Sequence, residues 1–164
     1  MTQTASQRPP MARIHHVSST VTDVEASAAW YQRVLGLQRI PPRFPHFGNE
    51  ETGYAVVLAD PATGVMIGLH HNVANGGEPC DEKRTGLDHI AIAVPARSDL
   101  DAWAAWLDHL GVPHAGVNDA TDPVKYSVLV FRDPDNIQLD GMEVRAGASP
   151  HVNVGCRAGV GPGR

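Results

Sequence analysis

Between Arg13 and Val21 the chain alternates with the period of a strand. His15, Val17, Ser19 and Val21 take one face, and Ile14, His16, Ser18 and Thr20 take the other. The valines suit a face packed on a helix, so His16 looks away from it. Residues 87–94 alternate in the same manner. Ile90, Ile92 and Val94 form the helix side, and His89 points away with Leu87, Ala91 and Ala93. After each strand the period lengthens to that of a helix. Thr22-x-x-Glu25 and Ser98-x-x-Asp101 read as capping boxes, in which the hydroxyl accepts a free backbone N–H and the acid favours the positive helix end. Leu100, Trp103, Ala104, Leu107 and Leu110 share one helical face that Gly111 ends, and Trp30 and Trp103 read as core residues. Three shorter strands follow each helix, near 37–43, 53–60 and 64–71 in the first half and near 114–117, 126–133 and 136–143 in the second. The pattern predicts an α+β fold of two tandem βαβββ modules.

The two halves also match residue by residue. His89 lies 73 positions after His16, and the same offset carries Trp30 to Trp103 and Asp60-Pro61 to Asp133-Pro134. The Leu-Gly pairs, Leu35-Gly36 and Leu110-Gly111, need an offset of 75, so the helical regions differ by a short insertion. Ordered matches of this kind are the mark of a duplicated unit.

The last strand of each half carries candidate chemistry. In RDPDNIQLDGM (132–142), Asp133-Pro134-Asp135-Asn136 is turn chemistry, and Ile137 and Leu139 then oppose Gln138, Asp140 and Met142. Asp140 is either a solvated strand residue or a group set on the face that the repeat assigns to His16 and His89. Its counterpart in GVMIGLHH is Gly68, allowing one residue more in the Asp60-Pro61 turn; Met66, Gly68 and His70 share a face opposite Val65, Ile67 and Leu69. Two imidazoles and one carboxylate are a set that holds a divalent metal on one side and leaves other positions open.

Composition narrows the partners. A net charge of -5 offers no basic footprint for nucleic acid. No apolar run approaches the length of a membrane span. Cys80 and Cys156 lack metal-type spacing and suit a reducing cytoplasm. The chain divides into a disordered leader (1–12), module one (13–71), a connecting loop (72–85), module two (86–145) and a flexible tail (146–164).

HVSSTVTDVEASAAWYQRVLGL, LDHIAIAV and VLVFRDPDNIQLD together resemble the vicinal oxygen chelate superfamily, the glyoxalase, bleomycin resistance and extradiol dioxygenase group, over about residues 13–145. The resemblance implies that the paired modules curl into a curved-sheet cup and that His16, His89 and Asp140 ligate one divalent metal, Fe²⁺ by preference and otherwise Mn²⁺, Ni²⁺ or Zn²⁺. The family usually has Glu at the place of Asp140. Glyoxalase I has a second carboxylate where this chain has Gly68, so a three-ligand site of the dioxygenase or thiol-transferase kind fits better. The phosphonate-binding loop of fosfomycin enzymes is not recognisable in NDATDPVKYS. The function implied is a small dioxygenase-like metalloenzyme chelating adjacent oxygens of a small organic substrate. The alternatives are a glyoxalase-like lyase or isomerase, a thiol transferase, or a metal-free drug- or metabolite-binding protein. His70 or Tyr126 would serve as acid or base, though His70 also reads as half of a surface His-His pair and Tyr126 as a packed strand aromatic. Ser18, Met66, Gly68, Phe44 and Phe47 are the candidate substrate contacts; on the rim loop 41–53, Phe44, His46 and Phe47 could meet an apolar or aromatic ligand or equally cover a dimer seam. A homodimer is expected, because curved sheets leave edges that find a partner.

Overall fold

The computed structural model describes Arg8 and residues 10–144. Most of the expected leader and all of the expected tail lie outside those residues. The described residues form two compact units, one of residues up to 90 with 132–139 and the other of residues 91–131 with 140–144.

The first unit opens with β1 (Val17–Thr20) and α1 (Val24–Leu35), followed by β2 (Gln38–Arg39), β3 (Phe44–Pro45), β4 (Gly53–Ala59) and β5 (Met66–Asn72). Its sheet has the order β1-β5-β4-β2, with β3 pairing β4 off the main path. The single strand expected at 37–43 is thus two short pieces. Pro41 and Pro42 lack the N–H a ladder needs and break it between them. Strand parity holds as read: Val21, Ile67 and Leu69 are buried with α1 residues Val24, Ala28, Tyr31 and Val34, whereas Ser18, Thr20 and His70 look away from that core.

Both helix starts differ from the capping boxes. Asp23, not Thr22, caps α1, its carboxylate accepting from the N–H groups of Glu25 and Ala26 at 3.0 Å each. A charged acceptor at the positive helix end outcompetes the neighbouring hydroxyl. Glu25 is instead engaged by Arg39. In the second helix, α2 (Arg97–Leu110), the Asp99 carboxylate takes the Ala96 N–H at 2.9 Å, and Asp101 pairs with Arg97. The tryptophans also depart from expectation. Trp30 and Trp103 are only half-buried and Trp106 is 41% exposed, while the fully buried aromatic is Tyr31, edge-on to Trp30. An indole on a short helix is too broad to sink wholly beneath it.

β6 (His89–Ala93) leads into α2, and β7 (His114–Ala120), β8 (Tyr126–Arg132) and β9 (Gln138–Val144) follow. Their sheet has the order β6-β9-β8-β7, the same first-fourth-third-second order as β1-β5-β4-β2. Two βαβββ modules of one topology are therefore present. Leu100, Leu107, Val112, Leu129 and Phe131 are the buried apolar residues of the second unit. No helix among the described residues is long and apolar enough to cross a membrane.

The turn at 133–136 belongs to the first unit and is buried there. Asp133 accepts from the backbone N–H groups of Asp135 (2.9 Å) and Ile137 (2.8 Å) and from the Tyr31 hydroxyl (2.9 Å). Asp135 accepts from the Thr22 N–H (2.8 Å) and the Ser27 hydroxyl (3.0 Å), which fastens the start of α1. Its carbonyl takes the Cys80 N–H, and the Asn136 amide donates back to the Cys80 carbonyl. Arg132 grips Glu82 with two nitrogens. One four-residue turn thereby anchors both a helix and the loop before β6.

Candidate functional site

The register of the first sheet gathers several of the expected site residues. Ser18 lies beside Gly68 and Thr20 beside His70 across the parallel β1–β5 pair; Ala55 and then Phe44 continue the row from His70 through β4 and β3. Lateral neighbours in a sheet point to the same face. Ser18, Gly68, His70 and Phe44 therefore share one face, and Met66, two residues before Gly68, joins them.

Gly68 is required by what lies against it. A Cβ built there would stand 2.3 Å from the Ser18 hydroxyl oxygen and 3.2 Å from its Cβ, with His70 Nε2 at 3.7 Å. The Ser18 hydroxyl fills the space a side chain at 68 would need. A side chain at this position would require the Ser18 side chain to shift.

His16 precedes β1 and is exposed, its Nδ1 2.9 Å from Nδ1 of His15. His46 sits in the short 3₁₀ turn His46–Gly48, which the Thr52 hydroxyl and the Asn49 N–H hold by its carbonyl. Its ring packs edge-on to His70 at 5.8 Å between centroids. Burial, and then the charges of His46 and His16, hold the His70 imidazole below its usual pKa, so that it is neutral and able to accept a proton at neutral pH. The sequence reading placed His46 on a rim loop, able to meet a ligand or cover a dimer seam, but not against His70. Only the turn that folds 46–48 back over β5 brings it there, and no periodicity signals that contact.

The remaining candidates lie as follows. His89 is the first residue of β6, with Nδ1 2.6 Å from the Asp88 carboxylate. A carboxylate on one imidazole nitrogen fixes the tautomer that presents the other to a metal. Asp140, third in β9, is 5% exposed. The donor types thus fit a divalent ion. Among the described residues, however, no three His, Cys, Asp or Glu side chains are arranged so as to hold one. Tyr126 opens β8 in the second unit, opposite Ala120 and half-buried. Phe44 is 42% exposed, and Phe47, its ring tilted 38° to that of His46 with centroids 4.1 Å apart, is 91% exposed.

Among curated proteins, none matches the chain. Among solved structures, a glyoxylase/bleomycin resistance protein/dioxygenase domain from Frankia sp. EAN1pec is similar, with 29% identity, 83% of this chain and 100% of that chain covered, and a TM-score of 0.71. Lactoylglutathione lyase from Agrobacterium tumefaciens matches with 20% identity over 83% of this chain and 96% of that one (TM-score 0.58). The fosfomycin resistance protein FosX from Listeria monocytogenes matches with 15% identity over 84% and 94% (TM-score 0.60). Those two likenesses show the fold alone. The sequence model of the glyoxalase/bleomycin resistance protein/dioxygenase superfamily matches residues 13–140. With that match spanning most of its length and the βαβββ topology repeated in its two sheets, the chain belongs to the glyoxalase/bleomycin resistance protein/dioxygenase superfamily.

Proposed function

We propose that the chain is a metal-dependent enzyme of this superfamily, a small dioxygenase-like protein acting on a small organic substrate with two adjacent oxygens. The observation that carries this reading is Gly68 itself, packed against the Ser18 side chain: position 68 supplies no second carboxylate, which favours three protein ligands over four. His16, His89 and Asp140 would hold the ion, Fe²⁺ before Mn²⁺, Ni²⁺ or Zn²⁺. When bound, such an ion supplies Lewis acidity to the substrate oxygens. His70, neutral beside Ser18 and Gly68, is the proton acceptor best placed on that face, and Tyr126 is the other candidate. Met66, Phe44 and Phe47 would line the substrate. We further propose a homodimer in the reducing cytoplasm, where Cys80 stays a free thiol.

A second reading, a metal-free protein that sequesters a small molecule, is favoured by the lack of three gathered donors among the described residues. Metal analysis of purified, untagged protein separates the two. One metal per chain, or reconstitution to that level by Fe²⁺, Mn²⁺, Ni²⁺ or Zn²⁺, supports the enzyme. No metal and no reconstitution supports the binding protein.

A further inference from the structure

We propose that the groove along α2 is the seat of the chain's own C-terminal segment, residues 146–156, laid against Trp103 and Trp106 by its apolar side chains. That segment lies outside the described residues, and the proposal is independent of the metal and substrate reading. Three observations carry it.

The first is the groove itself. It has a volume of about 450 Å³ and is lined by Pro95, Asp99, Ala102, Trp103 and Trp106. Among the described residues α1 buries Val24, Ser27, Ala28, Tyr31 and Val34, whereas the longer α2 buries only Leu100 and Leu107. Trp103, read from the sequence as core, is half-buried, and Trp106 is 41% exposed. Adjoining indoles left at the surface mark a place where another segment binds.

The second is where the chain leaves the sheet. β9 neighbours β6, and the Val94 N–H donates to the Met142 carbonyl at 2.9 Å. The end of β9 at Val144 therefore stands beside Pro95, one end of the groove. From Asp99 to Trp106 the helix rises about 10 Å, and an extended chain advances about 3.3 Å per residue. The residues that follow Val144 reach the groove and run its full length well before Cys156.

The third is the pattern of that segment. From Met142 to Pro162 every even-numbered residue is apolar, and every odd-numbered one is polar or glycine. Period two gives an extended segment one apolar face, which needs apolar surface to cover it. Pro150, Val152 and Val154 lie on that face, and proline-bearing extended segments fit aromatic-lined grooves. Charge agrees. Residues 145–164 carry three arginines and no carboxylate, the chain as a whole is at -5, and Asp99 stands in the groove.

The test uses the full chain and follows the indole N–H resonances of Trp103 and Trp106, assigned through Trp103→Phe and Trp106→Phe. Val152→Asp combined with Val154→Asp breaks the apolar face and should shift both resonances. Asn153→Asp, which adds charge on the opposite face, should leave them in place. A synthetic peptide of residues 145–164, added to the doubly substituted chain, should bind saturably and return both resonances to their parent positions. The same peptide carrying the two aspartates should bind at least about tenfold more weakly. Unchanged resonances in the doubly substituted chain overturn the proposal, as do equal shifts with Asn153→Asp. A sedimentation mass that halves in the doubly substituted chain assigns the groove to the segment of a second copy and overturns docking within one chain. No readout involves a metal, so failure of the metal assignment leaves this result standing, and the reverse also holds.

Discussion

The turns at Asp60-Pro61 and Asp133-Pro134 descend from the same place in the repeat, yet they do different work. Each joins the last two strands of its module. The Asp60 N–H meets the Val65 carbonyl and the Asp133 N–H meets the Ile137 carbonyl, so the first turn is one residue longer. Gly64 (φ +74°) and Asn136 (φ +65°) take the left-handed position in each. The Asp60 carboxylate closes only its own loop, bonding the Ala62 N–H (2.9 Å) and the Thr63 hydroxyl (2.6 Å) in solvent. The Asp133 carboxylate is 6% exposed and bonds a tyrosine 102 residues away. The same dipeptide is a local device in one half and a tertiary key in the other. What differs is the surroundings, not the turn.

The pKa directions carry that contrast. Hydrogen bonds from Thr63 and Ala62 hold the Asp60 carboxyl below its usual value. Burial pushes the Asp133 carboxyl up, against the pull of its three donors. Asp60 therefore stabilises the fold above the ordinary carboxylate range, and that contribution is lost as pH falls through its lowered pKa. The Asp133 contribution is fullest when protonated and is lost as pH rises through its raised pKa.

Four substitutions break or sharpen this comparison, in descending order of effect, with Asp60→Ala as the control for the first. Asp133→Ala strands two buried N–H groups and the Tyr31 hydroxyl and should cost about 3 kcal/mol in a urea titration. Asp60→Ala, in a turn whose carboxylate bonds only its own loop, should lower the midpoint far less; equal losses at the two sites would erase the distinction. Gly68→Ala should cost about 2 kcal/mol through collision with Ser18, and Ser18→Ala should restore part of it in a double-mutant cycle. Additive losses there would mean that the hydroxyl does not fill the space. Tyr31→Phe removes one donor to Asp133 and should cost about 1 kcal/mol while raising the Asp133 pKa further. The smallest effect belongs to Asp133→Asn. It should flatten the decline in stability between the ordinary carboxylate range and neutrality, measured as midpoint against pH, and an unchanged slope would place that titration elsewhere.

Much of the fold was legible because it is written in period and repeat. The parity that sends Ile67 and Leu69 inward and His70 outward follows from alternation alone, and so does the extra residue in the first turn. The capping residue was misread by one position because Thr22 and Asp23 are both good caps, and the choice depends on Asp135, far along the chain, claiming the Thr22 N–H. The roles of Asp133 and Asp135 were invisible for the same reason: their partners, Tyr31 and Ser27, are tertiary neighbours that no local pattern names. Of the candidate site, the row from Ser18 and Gly68 to His70 was readable from strand faces. The contact of His46 with His70 was not, since a turn rather than a period delivers it.

Each turn also launches the strand on which the functional reading depends. The exposed turn leads to Gly68, walled in by Ser18, and the buried turn leads to Asp140, 5% exposed. The most direct test is divalent-metal stoichiometry and affinity for the parent beside Asp140→Ala and Asp140→Glu. The account predicts one ion per chain in the parent, retention with glutamate and loss with alanine, all with unchanged circular dichroism. If Asp140→Ala binds metal as well as the parent does, Asp140 is a structural strand residue and the metal assignment fails.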